Sequence, residues 1–240
     1  MNPFWQVFLF ALLPVATMIL GGAIAAWRAP NAKWRSAILH FAAGVVFSVV
    51  AVELLPDVVS RHKPLEVAIG FGLGVAVPLG LRAFNQRKGE SESDEKAAST
   101  GLLFGVGVDI AIDGLLLGIG FAAGQKEGVL LTLALATELL SLGLATASTL
   151  GEAGASRLKN VGTVAALSLL FLGGASAGAT LLRSLSDEWL ELVLSFGLAA
   201  LLFLVTEELL VEAHEEPESP LLTATFFGGF LLFLLLGMSG

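Results

Sequence analysis

Residues 102–123 read LLFGVGVDIAIDGLLLGIGFAA, and the only ionisable side chains among them are Asp109 and Asp113. About 20 apolar residues are enough for a helix to cross the hydrocarbon core of a bilayer. This stretch therefore predicts a membrane span that carries two acids in its interior. The rest of the chain agrees: of 240 residues 55% are hydrophobic and only 14% charged, with a mean hydropathy of +0.84. A water-soluble domain needs more charge than that, so the solvent for this chain is lipid.

Breaks in hydropathy divide the chain into expected spans near 4–27, 35–59, 64–84, 100–123, 127–150, 160–182, 188–212 and 220–238. The fold class that follows is an all-α membrane protein, a single bundle of about eight transmembrane helices over 1–240. No length is left for a separate soluble domain. Asn2 to Ala26 is apolar, no Lys or Arg precedes it, and it exceeds a signal-peptide core, so it reads as the first span. Polar breakers mark the connections: Arg28-Ala-Pro30, Arg61-His62-Lys63-Pro64, Gly124-Gln125-Lys126 and Glu215-Glu216-Pro217. The one long connection, NQRKGESESDEKAAST from Asn85 to Thr100, is polar and mixed in charge, and 85–99 reads as a disordered loop.

Basic residues set the expected orientation. Nine of them (Arg28, Lys33, Arg35, Arg82, Arg87, Lys88, Lys96, Arg157 and Lys159) belong to the odd-numbered connections, and four (Arg61, Lys63, Lys126 and Arg183) to the even-numbered ones. The excess places the 85–99 loop in the cytoplasm and both termini outside, in a bacterial or archaeal cytoplasmic membrane. The seventh connection carries no basic residue and follows the others. With no cysteine there is neither a disulfide framework nor a thiolate metal site. The formal net charge of −8 points to cationic partners and to no nucleic acid.

A faint internal repeat joins spans 2 and 7. His40-Phe41 through Glu53-Leu-Leu-Pro56-Asp57 aligns without gaps on Ser195-Phe196 through Glu208-Leu-Leu-Val211-Glu212. Similar segments on oppositely directed helices are the mark of an inverted repeat.

Acids inside apolar runs are the functional signal. A charge at the bilayer centre costs on the order of 3 kcal/mol on insertion scales, so such residues face the bundle interior. Asp109 and Asp113 are four apart and share one helical face. Glu138, with Thr137 beside it and Ser141 a turn on, lies mid-span in the fifth helix. Glu207, Glu208, Glu212 and His214 lie toward the inner end of span 7, and Glu53 and Asp57 toward the outer end of span 2. Interhelical hydrogen bonding of protonated carboxyls is the plain alternative, but two acids on one face and a third on the next helix fit a cation site better. His40 and His62 read as solvated residues near the interfaces. Gly114-x-x-x-Gly118 is a small-xxx-small pattern that makes the fourth helix central to the packing.

At these residues the chain resembles the ZIP (Zrt/Irt-like) family of divalent metal transporters, over nearly its whole length. That family has eight spans, both termini outside and a long cytoplasmic loop after the third. Its span 2 tends to read His-Phe-x-x-Gly and then His-Leu-Leu-Pro-acid, against His40-Phe-Ala-Ala-Gly44 and Glu53-Leu-Leu-Pro56-Asp57 here. Its span 4 tends to read His-Asn-x-x-acid-Gly, against Asp109-Ile110-Ala-Ile-Asp113-Gly114. Its span 5 tends to read His-Glu-x-Pro-Glu, against Thr137-Glu138-Leu-Leu140-Ser141, and the span 7 ligand corresponds to Glu208. The central histidines are missing, Ile110 stands in place of an Asn ligand, and the family's two-metal centre is reduced to carboxylates that suit one site.

The resemblance implies a metal set of Asp109, Asp113, Glu138 and Glu208, with Thr137 and Ser141 at ligand positions. The transport pathway runs past Glu53, Asp57, Glu207, Glu212 and His214. The cargo is a divalent ion (Zn, Mn, Fe, Mg or Cd), and oxygen ligands favour the harder ones. Membrane lipid and the metal are the expected partners, and a homodimer is left open. A family member that has lost transport and acts as a binding or regulatory protein is the alternative. An enzyme is not expected: Gly105-Val-Gly107-Val-Asp109 resembles an aspartyl-protease Gly-x-Gly-Asp motif with an extra residue, and the Tyr of the companion motif is excluded because the chain has no tyrosine.

Overall fold

The computed structural model describes residues 3–28, 31–91, 95–181, 185–217 and 219–239. Eight helices long and apolar enough to cross a membrane account for nearly all of them, and the chain is an integral membrane protein. They are α1 (Pro3–Arg28), α2 (Ala32–Ser60), α3 (Pro64–Ser91), α4 (Glu95–Ala123), α5 (Gln125–Glu152), α6 (Arg157–Leu181), α7 (Asp187–Ala213) and α8 (Pro220–Ser239). No strand occurs among the described residues. Each helix matches an expected span to within a few residues, except where the third ends and the fourth begins.

That exception is the segment expected to be a disordered loop. The helical backbone of α3 continues through Ser91, and α4 already begins at Glu95, so of 85–99 only residues 92–94 lie outside the described ones. Gln, Arg, Lys and Glu are good helix formers. A transmembrane helix that has left the hydrocarbon loses its apolar residues without losing its reason to be helical. Hydropathy marks where lipid ends, which is not where the helix ends.

The bundle exterior is apolar. Leu9, Leu20, Ile24, Leu169, Leu231 and Leu235 are among its exposed large side chains. Such a surface would aggregate in water and is the expected one in lipid. α2, α5 and α7 are the most enclosed helices, whereas α3 and α8 lie at the periphery.

The helix pairings obey an exchange of two halves. α1 packs on α5 as α6 packs on α4, and α2 packs on α8 as α7 packs on α3. α1 also meets α6, α4 meets α5 and α2 meets α7, each helix against its own counterpart. Replacing α1–α2–α3 by α6–α7–α8 and α4 by α5 thus leaves the main pairings unchanged. Successive spans alternate in direction, so counterparts run oppositely. The aligned segments of α2 and α7 belong to this larger inverted arrangement.

Glycines bring helix backbones close together in both halves. A Cβ on Gly114 would meet the backbone of Phe171 and Ala175, and one on Gly118 the backbone of Gly178, which seats α4 directly on α6. In the other half, Gly21 of α1 abuts the backbone of Leu140, and Gly143 of α5 that of Met18. With no hydrophobic drive between helices in lipid, close backbone approach and van der Waals contact hold the bundle together.

α2 and α7 share one further irregularity. Val50–Leu54 in α2 and Leu204–Leu209 in α7 are π-helical, closed by the Leu55 N–H on the Val50 carbonyl and the Leu210 N–H on the Val205 carbonyl. Pro56 accounts for the first: it has no N–H, and its ring crowds the carbonyl one turn earlier. α7 carries Val211 at the matching position and adopts the same turn without a proline.

Candidate metal centre

α4 and α5 deliver three acids to one place. Asp109, Asp113 and Glu138 each offer an oxygen, and these oxygens all lie within 4.8 Å of one another. Asp113 and Glu138 are each only 2% exposed, and Asp109 is partly buried. The convergence has a local cause. The two aspartates share a face through their four-residue spacing, the neighbouring Gly114 and Gly118 face turns toward α6, and the carboxylate face is left toward α5.

Asp113 and Glu138 are close enough for one carboxyl to donate a proton to the other. Asp113 Oδ2, Glu138 Oε2 and Ser141 Oγ are buried and have no hydrogen-bond partner among the described residues. No Lys or Arg is ion-paired with any of the three acids among the described residues. Burial of ionised carboxylates without a counter-charge is strongly unfavourable. The cluster is therefore stable only if protons or a cation neutralise it. Three oxygens this close can move onto a single ion, with metal–oxygen bonds of roughly 2.0–2.6 Å.

The other expected ligands divide. Glu208, partly buried in the π-helical turn of α7, is within electrostatic range of Asp109, Asp113 and Glu138. Ser141 is buried. Thr137 donates its hydroxyl proton to the Leu133 carbonyl of its own helix at 3.0 Å, which leaves only its oxygen lone pairs to the site. Ile110 is fully buried and contributes no ligand.

The pathway acids lie apart from this cluster and are paired with bases. Glu53 meets Lys126 at 3.4 Å, Asp57 meets Arg61 at 3.2 Å, and Glu207 meets Arg82 at 3.2 Å. Glu212 lies 3.7 Å from Arg35, which also binds Glu215 at 2.8 Å. Asp57–Arg61 is a local pair four residues apart, whereas the others join residues distant in the chain and were not visible in the sequence.

Two features correct or extend the sequence reading. His40, expected to be solvated, is only 4% exposed, because α2 lies inside the bundle here and its first turns are covered by the end of α7. Its ring stands edge-on to that of His214, with centroids 5.1 Å apart. His62, by contrast, is exposed, as expected. Glu191 drew no attention in the sequence because it follows Asp187 and Glu188 and looks like one more helix-start acid. It is fully buried, accepts from Ser195 Oγ at 3.4 Å and lies 3.5 Å from Arg61.

No protein-family model matches the chain, and no curated protein matches it.

Proposed function

We propose that this membrane protein is a divergent ZIP-like transporter that carries a divalent metal cation across the bilayer through the carboxylate cluster between α4 and α5. One observation carries the reading. Three acids from two helices converge inside an apolar bundle, with no Lys or Arg ion-paired to them among the described residues. Intramembrane acids of this kind mark ion pathways. The exchange of α1–α2–α3 with α6–α7–α8 supports transport as well, since alternating access needs two ways of packing one site between related halves.

On this reading the ion enters past Asp57 and Glu53, is held by Asp109, Asp113, Glu138 and Glu208, and leaves past Glu212 and His214 into the cytoplasm. Entry requires Lys126 to release Glu53, and exit requires Arg35 to release Glu212. Oxygen ligands take Mn²⁺, Mg²⁺ or Ca²⁺ readily, and zinc still binds carboxylates. A binding or regulatory protein without transport is the second reading. It is favoured by the ion pairs at both ends of the α2–α7 contact and by the engagement of Thr137 with its own helix.

Metal uptake into proteoliposomes tests the proposal. Wild-type protein should load Mn²⁺ or Zn²⁺ above the level of empty liposomes, and Asp113→Asn with Glu138→Gln should return uptake to that level. Binding without uptake by the wild type selects the second reading.

A further inference from the structure

The end of the bundle where α2 begins and α7 finishes holds the only two histidines that meet among the described residues. Ser36 Oγ donates to the Ala213 carbonyl at 2.8 Å and ties the first turns of α2 to the last residue of α7. One turn on, His40 Nδ1 lies 2.9 Å from the Ser36 carbonyl oxygen. A carbonyl can only accept, so Nδ1 carries the proton, and in the neutral ring Nε2 is left with its lone pair. A backbone carbonyl holding one imidazole N–H so that the other nitrogen is basic is the usual support of a metal-ligating histidine.

The separation of the two rings fits this role. Two imidazoles bound to one tetrahedral ion through metal–nitrogen bonds of roughly 2.0–2.1 Å have ring centres about 5 Å apart. His40 and His214 have centroids 5.1 Å apart and ring planes at 86°. An edge-to-face pair of uncharged rings has a similar separation, and ion binding distinguishes the two arrangements. His40 is buried while His214 is exposed at the mouth, so an ion between them has one side toward the protein and one toward water.

We infer that His40 and His214 form a second metal-binding point, separate from the carboxylate cluster, that takes borderline transition ions such as Zn²⁺ or Co²⁺ through imidazole nitrogen. Waters complete the coordination. The donor chemistry differs from that of the cluster: imidazole suits Zn²⁺, Co²⁺ and Ni²⁺ and has little to offer Mg²⁺ or Ca²⁺. The inference rests on the transport reading only in making this point a stop on the ion's route, and the binding itself does not depend on transport.

The test is Zn²⁺ titration and Co²⁺ visible absorption on the full-length chain in detergent. Asp113→Asn with Glu138→Gln serves as the background, since it disables the central cluster. The background should still bind one Zn²⁺ and give Co²⁺ bands characteristic of nitrogen ligation. Adding His214→Gln should weaken that binding at least ~10-fold and remove the bands. His214 is exposed at a helix end, so glutamine there opens no cavity in the core, and Tm of the variant checks the fold. A background that binds no Zn²⁺, or one whose affinity His214→Gln leaves unchanged, overturns the inference. If wild type and background bind the same single ion and His214→Gln removes it, the central-cluster reading falls and this one stands.

Discussion

Glu53 and Glu208 occupy matching places in two π-helical turns, one on α2 and one on α7, but they have different partners. Glu53 pairs with Lys126 at 3.4 Å, while Glu208 lies within electrostatic range of Asp109, Asp113 and Glu138. A π turn inserts one extra residue and swings the following side chains around the axis, and such turns recur at functional sites. Here the two halves use the same backbone device at opposite ends of the bundle. On the transport reading, one acid is held by a base and its counterpart is directed at the ion.

Metal should stabilise the wild-type fold through the cluster. At a free Mn²⁺ or Zn²⁺ concentration of 100 Kd, the stabilisation is about 2.7 kcal/mol, visible as a rise in Tm. With Asp113→Asn and Glu138→Gln, the shift produced by Mn²⁺ should vanish. The metal-free variant should be at least as stable as metal-free wild type, since two acids without a counter-charge have been replaced by neutral groups of the same shape. Thermal unfolding in detergent, with and without metal, measures both. An unchanged Mn²⁺ shift in the variant would remove these side chains from the site.

Binding should release protons. Three carboxylates with oxygens within 4.8 Å cannot all be ionised in an empty site, and a divalent ion displaces the protons they hold. Apparent affinity therefore falls as pH falls, because protons compete with the ion. A pH indicator in weakly buffered solution should register about one proton per ion bound by wild type. The Asp113→Asn, Glu138→Gln pair should show no release on adding Mn²⁺.

Selectivity should follow donor type. Asp109→His with Thr137→His would place imidazoles where the ZIP pattern that the sequence resembles carries histidines, one turn before Asp113 and next to Glu138. Preference should shift toward Zn²⁺ over Mn²⁺ or Mg²⁺, since imidazole favours the borderline ion. Competition uptake by wild type and double variant reads this out. A variant that keeps the wild-type preference would mean that these positions do not touch the ion.

Packing of α4 on α6 should be intolerant at its glycines. Gly114→Val would drive a side chain into the backbone of Phe171 and Ala175, and overpacking of this kind costs about 1–3 kcal/mol. Because α4 carries Asp109 and Asp113, metal binding should weaken along with Tm. Gly173→Ala is the control, since nothing lies within 4 Å of a Cβ built there. Equal Tm for the two variants would contradict the packing.

Orientation has its own check. A single cysteine introduced within 85–99 should react with an impermeant maleimide only from the cytoplasmic side, as the nine-to-four distribution of basic residues requires. Labelling in intact cells would reverse the route of the ion.

Sequence by itself determined the helices and the acids. Eight apolar stretches of span length leave lipid as the only solvent, and in lipid the backbone must bond within each helix. That argument needs no partner residue, which is why it located all eight spans and, through the four-residue spacing of Asp109 and Asp113, put both on one face. It misjudged 85–91 and 95–99, where the helices outlast the hydrocarbon. Only the tertiary structure decided which groups meet. The convergence of Glu138 on the aspartates, the Lys126–Glu53 and Arg35–Glu212 pairs, the burial of His40 and Glu191, and the full exchange of halves all depend on how helices distant in the chain are rotated and seated. That rotation is set by glycines seated on the backbone of the facing helix, Gly114 on that of Phe171 and Gly143 on that of Met18. Such contacts are short-ranged and reciprocal, so neither side of them is readable until the other helix is in place.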